Sequence, residues 1–194
     1  NLLAVVLLEL GSYSESLDIS QAIIDGNDSF YPAHYTKLDA LAAICNQEEL
    51  NRCLIEYNRQ FILTRSPLMG RLAISSLTKL LLLNPAEACS HDFVVELVNS
   101  NIYQLSLGQV LLVLQATLLL PAKQIRLVNN LLNILLNSDC NIPSNLCIRM
   151  INIVHSEHSQ NWLDISRKIV KLAAFSDQGY LNMYLMSMLT QFDE

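Results

Sequence analysis

The chain has 194 residues, of which 52% are hydrophobic and 15% charged, and its formal net charge at pH 7 is −6. This composition excludes an intrinsically disordered region, which has few large apolar residues and many charges. The surplus of acids argues against a dedicated nucleic-acid binder, because neutralising phosphates requires a surplus of lysine and arginine. We therefore expect one folded domain covering residues 1–194, as a fragment of a longer chain.

Helices are predicted along the whole chain, because apolar residues recur at spacings of three and four rather than two. The five prolines lie where helices would begin, since proline is tolerated in the first helical turn. One or two helices are expected in residues 1–25, and later ones begin near residues 33, 47, 67, 85, 90, 107, 121, 143, 160 and 177. The predicted N-terminal caps are Asn46, Ser66, Asn84, Ser90, Ser106, Ser159 and Ser176.

The spacing of these helices predicts the architecture. When the short helix expected at residue 85 is left out, every second start falls at residues 33, 67, 107, 143 and 177. The spacing of 34–40 residues is the period of repeats built from two antiparallel helices. We therefore predict an all-α fold, a right-handed α-solenoid of about ten helices in antiparallel hairpins of the HEAT or armadillo type. A four-helix bundle is the alternative, but many short helices joined by tight turns favour stacked hairpins.

Cysteine content and apolar runs bear on the location of the protein. Five cysteines without a C-x-x-C pair predict reduced, buried thiols, with a disulfide framework or a zinc site as the alternative. The first ten residues are expected to be a helix cut at the start of the chain rather than a signal segment. The apolar run of residues 105–120 is too short to span a bilayer. We expect an intracellular protein, cytosolic or nuclear, that does not bind membranes.

Charge is unevenly distributed along the chain. Residues 1–51 hold eight acids and one base, Lys37, whereas residues 52–86 hold five bases and one acid, Glu56. The basic segment contains candidate partner-binding residues, Arg52, Arg59, Arg65 and Arg71. Guanidinium groups pair bidentately with carboxylates or phosphates. The preferred interpretation is that these arginines pair with the acidic N-terminal repeat; an acidic segment of a partner is the functional alternative, and nucleic acid is less favoured.

Two further candidate surfaces lie on single helices. Asn130, Asn133 and Asn137 share the helix face opposite the apolar stripe. The preferred interpretation is a solvated face, because all three lie on one helix; the alternative is that their amides hold the backbone of an extended peptide. The last helix carries Tyr180, Tyr184 and several methionines on more than one side. An outer face this apolar is expected either to pack in the core or to be covered by another repeat or a partner.

The motifs of known reactions are missing from the sequence. The pair His155 and His158 predicts a polar turn rather than a metal site, since no third ligand lies nearby. The acidic pair Glu48 and Glu49 is expected to stabilise a helix N-terminus rather than to act in acid–base catalysis. An enzyme site assembled from distant residues, such as His91 with Asp92 or His158, is the least favoured class. We predict a non-enzymatic protein without a metal or cofactor.

Three segments resemble the C-terminal helical-repeat domain of the Fanconi anaemia group E family: LTRSPLMGRLAISSLTKLLL, LLVLQATLLLPAKQIRLVNNLLN and NIPSNLCIRMINIV. The resemblance covers about residues 50–175. It implies a nuclear adaptor without catalysis, a subunit of the complex that monoubiquitinates a substrate during repair of DNA interstrand crosslinks. It also implies that this monoubiquitinated substrate is a binding partner of the chain.

The leading function is therefore a helical-repeat scaffold or adaptor that binds other protein subunits through an acidic or extended segment of the partner. Direct binding of nucleic acid is not expected. The alternative is an RNA-binding helical-repeat protein whose asparagine- and glutamine-rich helices read unpaired bases.

Overall fold

A computed structural model describes residues 1–89, 91–118, 125–138, 141–156 and 162–190. These residues form twelve α-helices and a short 3-10 helix at Ile102–Gln104. The α-helices are α1 (Leu2–Glu9), α2 (Tyr13–Gly26), α3 (Tyr31–Ala43), α4 (Gln47–Thr64), α5 (Pro67–Leu83), α6 (Pro85–Cys89), α7 (Val94–Asn101), α8 (Leu107–Leu118), α9 (Ile125–Leu136), α10 (Ser144–Ser156), α11 (Trp162–Lys171) and α12 (Phe175–Thr190). The predicted all-α class with about ten helices is confirmed.

The chain divides into two compact units, Asn1–Leu105 and Ser106–Glu194. In the first unit, consecutive helices pack as pairs, α2 with α3 and α4 with α5, and α3 also packs on α5. In the second unit, α8 packs on α9, α10 packs on α11, and α12 lies against both α10 and α11. Pairing of consecutive helices agrees with the expected hairpins. The right-handed superhelix and the single domain stay predictions.

Helix α4 illustrates how the sequence builds the first unit. Leu50, Leu54 and Phe61 are buried at the helical spacing, and full burial of each such side chain contributes about 1.5–3 kcal/mol. The helix begins where the Asn46 side-chain oxygen accepts a hydrogen bond from the Glu49 backbone nitrogen at 3.1 Å. It ends at Arg65, whose φ of 53° is left-handed. The arginine side chains between these ends lie on the solvent side.

Proline and capping residues located several helix starts well. Helices α4, α5, α6 and α8 begin at the predicted residues 47, 67, 85 and 107, and four others begin within four residues of the prediction. The predicted starts near 121 and 160 lie outside the described residues. Ser106 and Gln109 form a reciprocal capping box, with bonds of 3.3 and 3.0 Å.

The other predicted caps differ in outcome. Asn84 caps α6 by accepting from the Glu87 backbone nitrogen at 3.2 Å, whereas Ser66 precedes α5 without a side-chain capping bond. The prediction for Ser176 is wrong, because α12 already begins at Phe175 and the Ser176 hydroxyl donates to Asp177. Ser90 and Ser159 lie outside the described residues.

Apolar stripes on the helices form the core of the second unit. Val128, Leu131, Leu132 and Leu135 of α9 are buried together, as are Ile165, Ile169 and Val170 of α11. The residues before α10 and after α11 form an isolated parallel bridge, in which the Ile142 nitrogen donates to the Leu172 carbonyl oxygen at 2.8 Å. In the described part of the chain, no helix is both long and apolar enough to cross a membrane.

Candidate binding surfaces

Two of the four candidate arginines are paired within their own helix. Arg52 forms ion pairs with Glu48 and with Glu49, the latter at 3.3 Å. Arg59 donates two hydrogen bonds to Glu56, at 2.7 and 2.9 Å. These hydrogen bonds, with one from Gln60, lower the pKa of Glu56 to about 2. The charges of both arginines are therefore compensated locally on α4.

The other two arginines occupy different settings. Arg65 is exposed at the left-handed end of α4. Arg71 lies in α5, and its Nε donates to the Gln104 side-chain oxygen at 3.1 Å. Neither takes part in an ion pair among the described residues. Partner binding at Arg65 and Arg71 stays a prediction.

A groove of about 270 Å³ in the first unit is lined by α2, α3 and α4. On its wall, Lys37 Nζ lies 3.3 Å from Glu49 Oε1. His34 also lines the groove. Its Nε2 lies 2.7 Å from the Asp28 carbonyl oxygen and its Nδ1 lies 2.9 Å from the Tyr57 hydroxyl. Because a carbonyl oxygen only accepts, Nε2 of the neutral ring carries the hydrogen and Nδ1 accepts from Tyr57.

The groove contains residue types used in catalysis, but their environment holds them in place rather than activating them. Burial raises the pKa of the Cys53 thiol and of the Tyr57 hydroxyl. A thiol with a raised pKa is a poor nucleophile at neutral pH, because the thiolate is the reactive form. Both ring nitrogens of His34 are already hydrogen-bonded, to Asp28 and to Tyr57. This arrangement suits a structural polar network.

A second groove, of about 450 Å³, lies between α9 and α11 in the second unit. Its lining residues are Asn129, Asp164, Ile165, Arg167, Lys168 and Lys171. Lys168 Nζ donates to the Asn129 side-chain oxygen at 2.6 Å. This basic groove was not among the surfaces that the sequence indicated. The sequence feature that could have predicted this groove is the spacing of Arg167, Lys168 and Lys171, which places three cations on one side of a helix.

Asn130 and Asn133 lie on α9 and Asn137 in the turn directly after it. Asn130, Asn133 and Asn137 are exposed, on the face opposite the buried Val128, Leu131 and Leu135. The prediction of a shared polar face is confirmed. Peptide binding by this face stays a prediction.

One side of α12 is both apolar and exposed. Tyr180, Met183 and Met186 are 59%, 72% and 60% exposed, whereas Leu181 and Leu185 are buried on the other side. Residues three apart lie on neighbouring positions of a helix surface, so the three exposed side chains share one face. We call Tyr180, Met183 and Met186 the α12 apolar face. Phe175, at the start of the helix, is 91% exposed.

The second predicted tyrosine of α12 has a different environment. Tyr184 is half-buried, and its hydroxyl donates to the Asn152 side-chain oxygen of α10 at 2.6 Å. It therefore links α12 to its neighbour, while Tyr180 lies in the exposed face.

The histidines weighed as possible ligands or catalysts contact other side chains. The His155 ring packs edge-on against Trp162, with centroids 5.0 Å apart, and His158 lies outside the described residues. His91 Nε2 lies 2.6 Å from the Asn51 side-chain oxygen, and the His91 ring stacks on Phe93. Within the described ranges, no group of three histidine, cysteine or acidic residues could hold a metal ion.

No family model, curated protein or solved structure matches this chain. The resemblance to the Fanconi anaemia group E family therefore stays a prediction.

Proposed function

We propose that the protein is a non-enzymatic helical scaffold that binds another protein through the α12 apolar face. The observation that carries this proposal is the joint exposure of Tyr180, Met183 and Met186 on one side of one helix. Single exposed apolar residues are ordinary, but a group of large ones on one face marks an interaction site. Tyrosine and methionine are also enriched in protein interfaces.

The chemistry of this face favours a helical or extended protein segment as its ligand. Methionine side chains are flexible and polarisable, so they adapt to an irregular apolar surface. The Tyr180 ring adds a large contact area at a small cost in side-chain entropy. The raised pKa of Cys53 and the fixed hydrogen bonds of His34 support a non-catalytic role for the first unit.

The sequence resemblance extends this proposal to a cellular role. Residues 50–175 resemble Fanconi anaemia group E proteins, so the proposed partners are subunits of the nuclear complex that monoubiquitinates a substrate in crosslink repair, together with that substrate. The test is co-purification of the intact chain with that substrate and nuclear localisation of a fluorescent fusion. A cytoplasmic fusion that retains other partners would contradict this role and leave the scaffold proposal standing.

The contact itself is tested by Met183→Lys, which places a charge in the middle of the α12 apolar face. The matched control is Asn133→Lys, which adds the same charge to an exposed position of α9. Complexes of the intact chain are purified from cells and compared by quantitative mass spectrometry. We expect a specific partner to be depleted about tenfold or more with Met183→Lys and retained with Asn133→Lys.

Two outcomes would contradict the proposal. If Asn133→Lys removes the partner and Met183→Lys does not, the contact lies on the asparagine face instead. If Met183→Lys changes only the mass of the purified protein in light scattering, from dimer to monomer, the α12 apolar face binds a second copy of the chain rather than another protein.

A further inference from the structure

We propose that the groove between α9 and α11 binds carboxylate side chains of an acidic peptide segment. Its described lining residues include three cations, Arg167, Lys168 and Lys171, and one acid, Asp164. It is separate from the α12 apolar face, since none of the three residues of that face lines it. The two proposals therefore stand or fall independently.

The positive charge of this groove is poorly compensated. Lys168 is held by the neutral amide of Asn129 at 2.6 Å, which fixes the ammonium group without neutralising it. Arg167 Nη1 lies 3.7 Å from Asp164 Oδ1, beyond the usual range of a charge-assisted hydrogen bond. Lys171 forms no ion pair within the described part of the chain. Among the described lining residues, three cations against one acid leave two positive charges in excess.

On α4 of the same protein, by contrast, glutamates compensate the arginine charges. Arg59 donates two bonds of 2.7 and 2.9 Å to a single carboxylate, and Arg52 contacts two glutamates. An added anion would have to displace those glutamates. In the α9–α11 groove, an added carboxylate replaces solvent around Lys171 and satisfies donors of Lys168.

The size and lining of the groove favour a peptide over a nucleic acid. Its volume of about 450 Å³ suits a few side chains. The three cations span one turn of α11, about 6 Å along its axis, whereas a nucleic-acid strand needs a longer track of cations. None of the described lining residues is aromatic, so none of them could stack on a base. The chain's net charge of −6 also repels a polyanion.

The neighbouring side chains add selectivity. Ile165 contributes an apolar wall to the groove, against which the methylene groups of a glutamate side chain can pack. Asn129 holds Lys168 in position across the two helices. A ligand with two or more carboxylates a few residues apart would meet Lys168 and Lys171 together.

The test is fluorescence anisotropy of the intact chain with a fluorescein-labelled decaglutamate peptide. The variant is Arg167→Gln with Lys171→Gln, two exposed positions, and the matched control is Arg52→Gln with Arg59→Gln, which removes the same charge. We expect the Kd to rise at least about fivefold in the variant and less than about twofold in the control. Binding of the wild-type chain should weaken as NaCl rises.

A second variant, Lys168→Gln, tests the cation held by Asn129, and circular dichroism confirms that each variant is folded. A decaglutamine peptide should not bind. Equal weakening in the variant and the control would show that only net charge matters and would overturn the proposal. Displacement of the peptide by a single-stranded oligonucleotide or by millimolar inorganic phosphate would also overturn it, because the groove would then be a general anion or phosphate site.

Discussion

Asn101, in the last turn of α7, lies directly against Gly70 of α5. A Cβ atom placed on Gly70 would lie 2.2 Å from Asn101 Oδ1 and 3.0 Å from its Cγ. The Asn101 side chain is 1% exposed, and its Nδ2 donates to the Leu97 carbonyl oxygen at 2.8 Å. Helices α5 and α7 therefore approach closely at a point where residue 70 has no side chain.

Replacing Gly70 with alanine should destabilise the protein. Alanine favours a helix over glycine by about 1 kcal/mol, but the added methyl would force Asn101 out of its buried position. Overpacking of this kind costs about 1–3 kcal/mol, so we expect a net loss of about 1 kcal/mol in the free energy of unfolding. Urea denaturation measures it.

Gly179→Ala is the matched control, since Gly179 is also helical and a Cβ atom placed on it would meet nothing within 4 Å. This substitution should be neutral or stabilise the protein by up to about 1 kcal/mol. In the double variant Gly70→Ala with Asn101→Ala, the cost of the alanine at residue 70 should disappear. If Gly70→Ala and Gly179→Ala behave alike, α5 and α7 are not in contact there.

The hydrogen bond between Tyr57 and His34 predicts a second stability effect. Tyr57→Phe removes the hydroxyl that donates to His34 Nδ1 at 2.9 Å and leaves a buried acceptor without its partner. The expected loss is about 1–2 kcal/mol, measured by urea denaturation at pH 8. Tyr180→Phe, at an exposed position, is the control and should change stability by less than about 0.5 kcal/mol. Equal stability of both variants would contradict the buried hydrogen bond.

Local chemistry made several features of this molecule predictable. Asn46 and Pro67 specify helix starts because capping and a fixed φ act within a few residues. The exposure of Asn133 follows from its spacing against Leu131 and Leu135, since a helix turns by a fixed angle per residue. In each case, the information needed to place the residue lies within one turn of the chain.

The binding surfaces were harder to predict for two physical reasons. The charge count placed Glu48 in the acidic segment 1–51 and Arg52 in the basic segment 52–86. On one helix, however, residues four apart are neighbours, so these two side chains pair directly. The α9–α11 groove depends on Asn129 meeting Lys168 across 39 positions of sequence. No local pattern specifies that contact, because it arises from the packing of two helices.

Burial of the cysteines predicts their reactivity. Cys45 is exposed, whereas Cys53 and Cys147 are buried, and burial raises the pKa of Cys147 to about 11. Iodoacetamide at pH 8 should label Cys45 first, and label Cys53 and Cys147 only after urea is added. Peptide mapping by mass spectrometry follows each site separately. Rapid labelling of Cys147 in the folded protein would contradict its place in the core.

The ion pair between Arg59 and Glu56 predicts a pH effect with a definite sign. The pKa of Glu56 is lowered from 4.5 to about 2 by hydrogen bonds from Arg59 and Gln60. A carboxyl group with a lowered pKa stabilises the folded state above its unfolded pKa, and this contribution is lost as the pH falls from about 4.5 to about 2.

Arg59→Gln should move the pKa of Glu56 back towards 4.5. Carboxyl carbon shifts in an NMR titration measure it, with Arg65→Gln as the control that leaves the pKa of Glu56 low. If Glu56 of the wild-type chain titrates near 4.5, it is not paired with Arg59, and the Arg59 guanidinium would be available to an acidic partner.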